Sequence, residues 1–234
     1  MRLVQKNRLI LLLSLTAISL LVLIIKYQPA QQKLYSTQEI EQIINNTYLD
    51  ENGFSINGNE REFIEKSGGN PTYGEILPSS LAQLIQKLEL TKNDVLFDLG
   101  SGVGKVCIQV ALTTPAKAVG IELSSTRHKL AQKIKQKLID EGVLTNKHKL
   151  QFIEDNIAQA DLNKGRIFFM CSTCFSDELM KTLTQHFEKI SHPIKIVTLR
   201  SLPLEESSNI ELKDTLSLLM SWSDGSSVYI YHKN

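Results

Sequence analysis

The stretch Val95-Leu96-Phe97-Asp98-Leu99-Gly100-Ser101-Gly102-Val103-Gly104-Lys105 constrains this chain more than any other. An apolar run sized for one buried strand meets glycines at alternate positions, and an apolar, helix-like segment follows at once. Glycines so spaced allow a tight turn and let a ligand touch the backbone, because no Cβ intervenes. A dinucleotide fingerprint would need a further glycine three places after Gly102, where Lys105 stands. A P-loop would need a four-residue spacer between its glycines and a Gly-Lys-Ser/Thr ending, and neither is present.

Strands and helices alternate from this turn onward. The pattern predicts strands at residues 95–99, 118–123, 150–153, 166–170 and 194–199, with helices at 104–113, 124–141 and 175–190. Residues 215–222 and 227–231 read as a hairpin about Ser223-Asp224-Gly225-Ser226, with an Asp-Gly turn. Upstream, Ser36 and Glu39 form a candidate capping box for a helix carrying Ile40, Ile43 and Ile44. A loop is expected over 45–59, and a short helix over 60–66 stops at Ser67-Gly68-Gly69-Asn70-Pro71. Pro78 then opens a helix with Leu81, Leu84, Ile85 and Leu88 on one face. Such alternation implies an α/β, Rossmann-like fold: a mostly parallel sheet of seven strands, closed by a C-terminal antiparallel hairpin. Ligands of such sheets bind beyond the carboxyl ends of the strands, where the strand order reverses.

Acids recur at those strand ends. Glu122 lies 24 residues after Asp98, at the tip of the second strand, where a carboxylate can accept both ribose hydroxyls of an adenosine. The third strand ends in Glu154-Asp155-Asn156, where a carboxylate can accept from an adenine amino group. The three acids in register with one sheet point to an adenosine-containing ligand that needs no phosphate cradle.

The segment Thr72-Tyr73-Gly74-Glu75, a helix, and then Asp98-Leu99-Gly100-Ser101-Gly102-Val103-Gly104-Lys105 resembles the non-SET histone lysine methyltransferases, the disruptor-of-telomeric-silencing family. The likeness is close over residues 71–125 and fainter to the end, where Met220-Ser221-Trp222-Ser223-Asp224-Gly225-Ser226-Ser227-Val228-Tyr229-Ile230-Tyr231-His232 echoes the family's closing hairpin. The resemblance implies a class I methyltransferase fold, S-adenosyl-L-methionine as methyl donor and a lysine ε-amine of a protein substrate as acceptor. It implies that Tyr73 and Glu75 lie in a loop over the cofactor. Asp98, Gly100, Ser101, Gly102 and Gly104 would surround its methionine portion, Glu122 its ribose, and Asp155 with Asn156 its adenine. Tyr73, Glu75, Ser172 and Phe175 are the candidates near the acceptor. Where that family presents Asn-Asn-Phe after the fourth strand, this chain has Cys171-Ser172-Thr173-Cys174-Phe175 and retains only the Phe. A group of membrane-anchored lysine methyltransferases with a similar Asp-x-Gly-Ser-Gly turn is an alternative relative. It matches the N-terminal segment better and Tyr73-Gly74-Glu75 worse. Small-molecule or lipid-associated methylation, and a non-catalytic binding module of the same fold, are the competing functions.

The formal net charge of +1 is an average of two unlike parts. Arg2, Lys6, Arg8 and Lys26 put +4 on residues 1–29, leaving −3 on the rest. Residues 9–25 carry no charge over 17 positions, and a membrane-spanning helix needs roughly 17–25 apolar residues. A single-pass anchor over 1–30 is therefore expected, followed by a linker with helices over 31–70 and the catalytic domain over 71–234. A cleaved signal, giving a secreted domain, is the alternative. Basic residues ahead of the apolar run place the N-terminus in the cytosol and the domain outside. The acidic domain argues against nucleic-acid binding by bulk electrostatics.

Three Cys are too few for a disulfide scaffold. Cys171 and Cys174 have the spacing of a redox pair, and a disulfide between them is favoured in an extracytoplasmic domain. Their plainest reading is as small residues filling a strand-end turn. Cys107 reads as core. No metal site is expected. Arg127, Lys129, Lys133, Lys135, Lys137, Lys147 and Lys149 read as a solvated basic face, with anionic lipid headgroups as the alternative partner. Trp222, Tyr229 and Tyr231 read as edge packing.

Overall fold

The computed structural model describes residues 32–234. Gln32–Asn234 form one compact unit. Among the described residues no helix is long and apolar enough to cross a membrane. The expected anchor at residues 9–25 lies outside the described residues.

Three helices precede the first strand. Helix α1 (Thr37–Thr47) begins with the expected capping box, Ser36 accepting from Glu39 N and Glu39 reaching back to Ser36 N. Its neighbours are α2 (Gly58–Lys66) and α3 (Pro78–Leu88). The alternating part runs β1 (Val95–Leu99), α4 (Lys105–Thr113), β2 (Lys117–Glu122), α5 (Ser125–Asp140), β3 (Leu150–Glu154), β4 (Ile167–Met170), α6 (Asp177–Lys189) and β5 (Ile194–Thr198). The long hairpin of β6 (Ile210–Met220) and β7 (Ser223–Lys233) closes the chain. Boundaries differ from the sequence expectation by a residue or two at most strands, the usual fraying of element ends.

The seven strands lie in the order β3-β2-β1-β4-β5-β7-β6. The first five are parallel, and β7 joins β5 and β6 antiparallel. The chain moves outward from β1 to β3, then returns to β4 on the other side of β1. The order therefore reverses between β1 and β4, and their carboxyl ends open the crevice where such sheets bind ligands.

Strand alternation divides the core. Leu96, Ile167 and Phe169 point into one apolar cluster with Ile40, Leu84, Ile108 and Ile134, so α1, α3, α4 and α5 cover that face. Phe97, Leu99, Phe168 and Met170 point into the other with Leu183 and Phe187 of α6. Residues 32–70 thus pack into the same core as the segment expected to form the catalytic domain.

The hairpin corrects one expectation. Ser223 pairs with Met220, so the turn falls at Ser221-Trp222, and Asp224-Gly225 lies on β7. The reason is tertiary. Ser221 N donates to Glu75 O at 2.7 Å, and Glu75 N donates to Ser221 Oγ at 3.0 Å. Ile76 forms an antiparallel bridge with Met220 beside them. Docking on the 73–76 segment sets the register, and Gly225 has no positive φ to support a turn of its own.

Candidate active site

The glycine turn leaves β1 and is stitched to β2. Gly100 N and Ser101 N both donate to Ile121 O, at 2.9 and 3.0 Å. Gly102 N donates to Glu122 Oε2 at 2.7 Å, and Ser124 N donates to Glu122 Oε1 at 2.8 Å. Gly102 has φ +54°, and a Cβ there would meet the Tyr73 ring at 2.5 Å. Gly104, at φ +89°, caps α4, and its Cβ would strike Phe152 at 2.4 Å. Glycine is needed at both positions for conformation and for space.

Tyr73 closes over this turn. Its ring is met edge-on by Phe54, and the Arg127 guanidinium lies 4.9 Å from its centroid. Arg127 is buried, and donates to Gly53 O at 2.9 Å and Pro71 O at 2.6 Å. It thereby ties the start of α5 to both ends of the segment running from Gly53 to Pro71. This removes Arg127 from the solvated basic face expected of it. Lys149 leaves that face too: it is buried and donates to Ala111 O and Thr114 O, and burial pushes its ammonium down to about 8. Glu60 clasps α2 to the start of α5 by accepting from Ser124 Oγ at 2.6 Å and Thr126 N at 2.8 Å.

The Tyr73 hydroxyl donates to Glu75 Oε1 at 2.7 Å, and Lys105 Nζ holds Glu75 Oε2 at 2.7 Å. Lys105 also lies 4.8 Å from the Tyr48 ring centroid. Burial first, then the neighbouring Glu75 charge, pushes the Tyr73 phenol well up, so it remains a donor. Sequence reading missed this role of Lys105, whose only visible signal was that it broke a dinucleotide pattern.

Tyr73, Glu75, Lys105 and Arg127 line a cavity of about 340 Å³ at the carboxyl ends of β1, β2 and β4. Of the candidate residues, Tyr73, Glu75, Asp98, Gly100, Ser101, Gly102, Glu122, Asn156 and Phe175 face it. Asp98 is buried at its floor, and burial followed by the Glu122 charge raises its carboxyl to about 8. Burial likewise raises Glu122, opposed by the Ser124 and Gly102 N–H groups and by Arg127. Trp222, read from sequence as edge packing, lines the cavity too, its ring filling the space a Cβ on Gly74 would need.

Three expected site residues do not line it. Ser172 is fully buried and faces away, its Oγ bonded to Thr198 Oγ1 at 2.7 Å and accepting from Leu199 N and Arg200 N. It ties β4 to the end of β5 and does not reach the cavity. Asp155 is exposed and faces an adjoining surface depression with Phe63, Leu123 and Glu154, because the strand end turns its side chain outward. Gly104 shapes the turn from behind, against Phe152. Asn156 faces the cavity, yet its side-chain amide donates to Ser67 O and accepts from Ala158 N, fixing the loop before Pro71.

The donor set suits an adenosyl amino acid. Ser101 Oγ is buried with no hydrogen-bond partner. Each Glu122 oxygen accepts one N–H and retains a lone pair for a ribose hydroxyl. Glycine backbone without Cβ lies between them. Among the described residues no cluster of three or more His, Cys, Asp or Glu could hold a metal ion.

A seven-stranded sheet in this order, with a glycine turn after β1 and an acid ending β2, is the fold of class I methyltransferases. Residues 54–224 match the family described as "Histone methylation protein DOT1", and the chain belongs to that family. Among curated relatives, the H3 lysine-79 specific histone-lysine N-methyltransferase of Caenorhabditis elegans is 31% identical over 146 residues, covering 58% of this chain and 15% of that protein. The enzyme of the same description from Yarrowia lipolytica is 28% identical over 143 residues, covering 58% and 29%. The chain therefore spans less than a third of the length of either. The fold likeness extends to an RNA methyltransferase from Salinibacter ruber solved with S-adenosyl-L-homocysteine, at TM-score 0.51 and 21% identity over 66% of this chain and 90% of that one. Magnesium protoporphyrin IX methyltransferase from Synechocystis PCC 6803, solved with S-adenosylmethionine, gives TM-score 0.51 and 14% identity over 88% of this chain and all of that one.

Proposed function

We propose that this chain is an S-adenosylmethionine-dependent methyltransferase acting on the ε-amine of a protein lysine. The observation that carries the reading is one cavity in which Asp98, the glycine turn and Glu122 meet the Tyr73-Gly74-Glu75 loop. Family membership and the H3 lysine-79 specificity of the named relatives support the lysine acceptor.

Bound S-adenosylmethionine would supply an electrophilic methyl group on its sulfonium sulfur. Glu122 would accept from the ribose hydroxyls, Ser101 Oγ would find the partner it lacks, and Asp98 would face the amino-acid portion. Displacement on a methyl group needs alignment and a neutral amine, since an ammonium has no lone pair. Phe175 and Trp222 contribute apolar wall to the cavity, and a lysine desolvated against them loses its proton more readily. Tyr73 and Glu75 are committed to each other and to Lys105, so they act by shaping and charging the wall, not by removing a proton.

The reading is tested by incubating the full chain with methyl-labelled S-adenosylmethionine and whole-cell protein, followed by hydrolysis and amino-acid analysis. Labelled methyl-lysine is the expected product. Label confined to small molecules or lipids would replace the lysine acceptor, and the segment Cys171-Ser172-Thr173-Cys174-Phe175, which retains only the Phe of the family's Asn-Asn-Phe, gives that outcome its motive. No label at all would favour a non-catalytic module. Residues 9–25 are proposed as the membrane anchor on their length and apolarity, and protease accessibility on intact cells locates the domain relative to the membrane.

A further inference from the structure

Two side chains in the cavity wall take no part in binding the methyl donor as described. Cys171 and Cys174 both line the cavity beside Phe175 and Trp222, and both are free thiols. Cys174 ends a 3-10 turn, Ser172–Cys174, of which Cys171 is the N-terminal cap residue. Cys171 and Cys174 face the cavity while Ser172, between them, is buried in the core. A rise of about 2 Å per residue puts their α-carbons about 6 Å apart. A disulfide accepts α-carbon separations of about 4.4–6.8 Å.

The turn is fixed from both sides. Ser172 Oγ bonds Thr198 Oγ1 and the backbone of Leu199 and Arg200, and Arg200 in turn donates to Phe175 O. The backbone that carries both cysteines is thus anchored to the end of β5.

We propose that Cys171 and Cys174 form a dithiol–disulfide site in the cavity wall, oxidised by low-molecular-weight disulfides, and that closing the bridge remodels the wall formed by Phe175 and Trp222. Cys174 is exposed and is the entering thiol; Cys171 is half-buried behind it. Burial first, then the charges of Asp98, Cys174 and Glu75, pushes the Cys171 thiol up to about 12, so it stays protonated until the second step. In the first step Cys174 thiolate attacks a disulfide RS–SR, forming Cys174–S–SR and releasing RS⁻. In the second, Cys171 gives up its proton and attacks Cys174 Sγ, releasing the second RS⁻. The protein thiols lose two electrons and two protons, and the small disulfide gains them as two thiols. The site is independent of the methyltransferase reading, because neither readout below uses a methyl donor.

The test equilibrates the full chain in glutathione buffers of graded thiol-to-disulfide ratio. Acid quenching, alkylation under denaturing conditions and peptide mass spectrometry then count the free thiols. Trp222 is the one tryptophan of the chain, so its emission reports on the same wall. Cys171 and Cys174 are expected to leave the alkylatable pool together as an internal bridge, with Cys107 remaining, and Trp222 emission is expected to change over the same range. Cys171→Ser should instead trap glutathione on Cys174, and Cys174→Ser should remain fully alkylatable. Three alkylatable thiols at the most oxidising ratio, glutathione retained on Cys174 of the unmutated chain, or a bridge to Cys107 would each overturn the site. A bridge that leaves Trp222 emission unchanged would overturn the remodelling.

Discussion

Tyr73 donates its phenolic proton to Glu75 Oε1 at 2.7 Å, while the other oxygen of that carboxylate is held by Lys105 across the turn. The loop over the cavity is thereby tied to the first residue of α4. Because Lys105 and Glu75 are mostly buried, removing either leaves a charged group short of a partner. Lys105→Met and Glu75→Gln should each lower the melting temperature, and the double variant should lose less than their sum. A coupling of about 1–2 kcal/mol is expected in a double-mutant cycle by denaturant unfolding. Additivity would show that the pair does not act together.

The glycine turn makes a sharper prediction. Gly102→Ala puts a Cβ into the Tyr73 ring at a left-handed φ, so Tyr73 and its loop must move. Strain of about 1–2 kcal/mol from the backbone alone is expected, and S-adenosylhomocysteine binding should weaken more than about tenfold. Gly58→Ala, which meets nothing within 4 Å, is the control and should change neither.

Asp98 gives the site a pH dependence. Its carboxyl is raised from 3.8 to about 8, so between those values the folded chain holds a proton that the unfolded chain has lost. Stability from this group is complete below about pH 4 and is lost as pH rises through about 8. A ligand ammonium beside Asp98 favours the ionised carboxylate, so binding should release a proton. Affinity for S-adenosylhomocysteine should then rise between about pH 6 and 7.5, by up to about tenfold per pH unit. Calorimetry in buffers of different ionisation enthalpy counts the proton, and Asp98→Asn should abolish both the release and the slope.

Ser172→Ala separates a structural role from a catalytic one. The substitution leaves the buried Leu199 N–H and Arg200 N–H without their acceptor, at a cost of about 1–3 kcal/mol. Methyl transfer per folded molecule should be unchanged below the lowered melting temperature. A large loss of kcat in folded protein would return Ser172 to the acceptor site.

The parallel sheet was legible because its signals are local: short apolar strands, a helix cap at Ser36, and glycines between Leu99 and Lys105. The acids Asp98 and Glu122 were legible for the same reason, standing at the ends of strands that any parallel sheet would align. What failed depended on contacts distant in sequence. Asp224-Gly225 is a good local turn, but Ser221 binds the backbone of Glu75 and moves the turn three residues earlier. Arg127 stands among lysines in sequence, and only the carbonyls of Gly53 and Pro71 distinguish it from them. Ser172 adjoins Cys171, yet a 3-10 turn sends the two side chains to opposite sides. Asp155 and Asn156 show the same one-residue sensitivity at the end of β3.

The crevice between β1 and β4 is proposed to bind S-adenosylmethionine through Glu122. Isothermal titration of the full chain with S-adenosylmethionine, unmutated and as Glu122→Ala, tests it most directly. One site per chain is expected, with a loss of at least about tenfold in affinity for the variant, for the lost ribose contact and the unpinned Gly102 N–H. No binding to the unmutated chain, or equal binding to both, would contradict it.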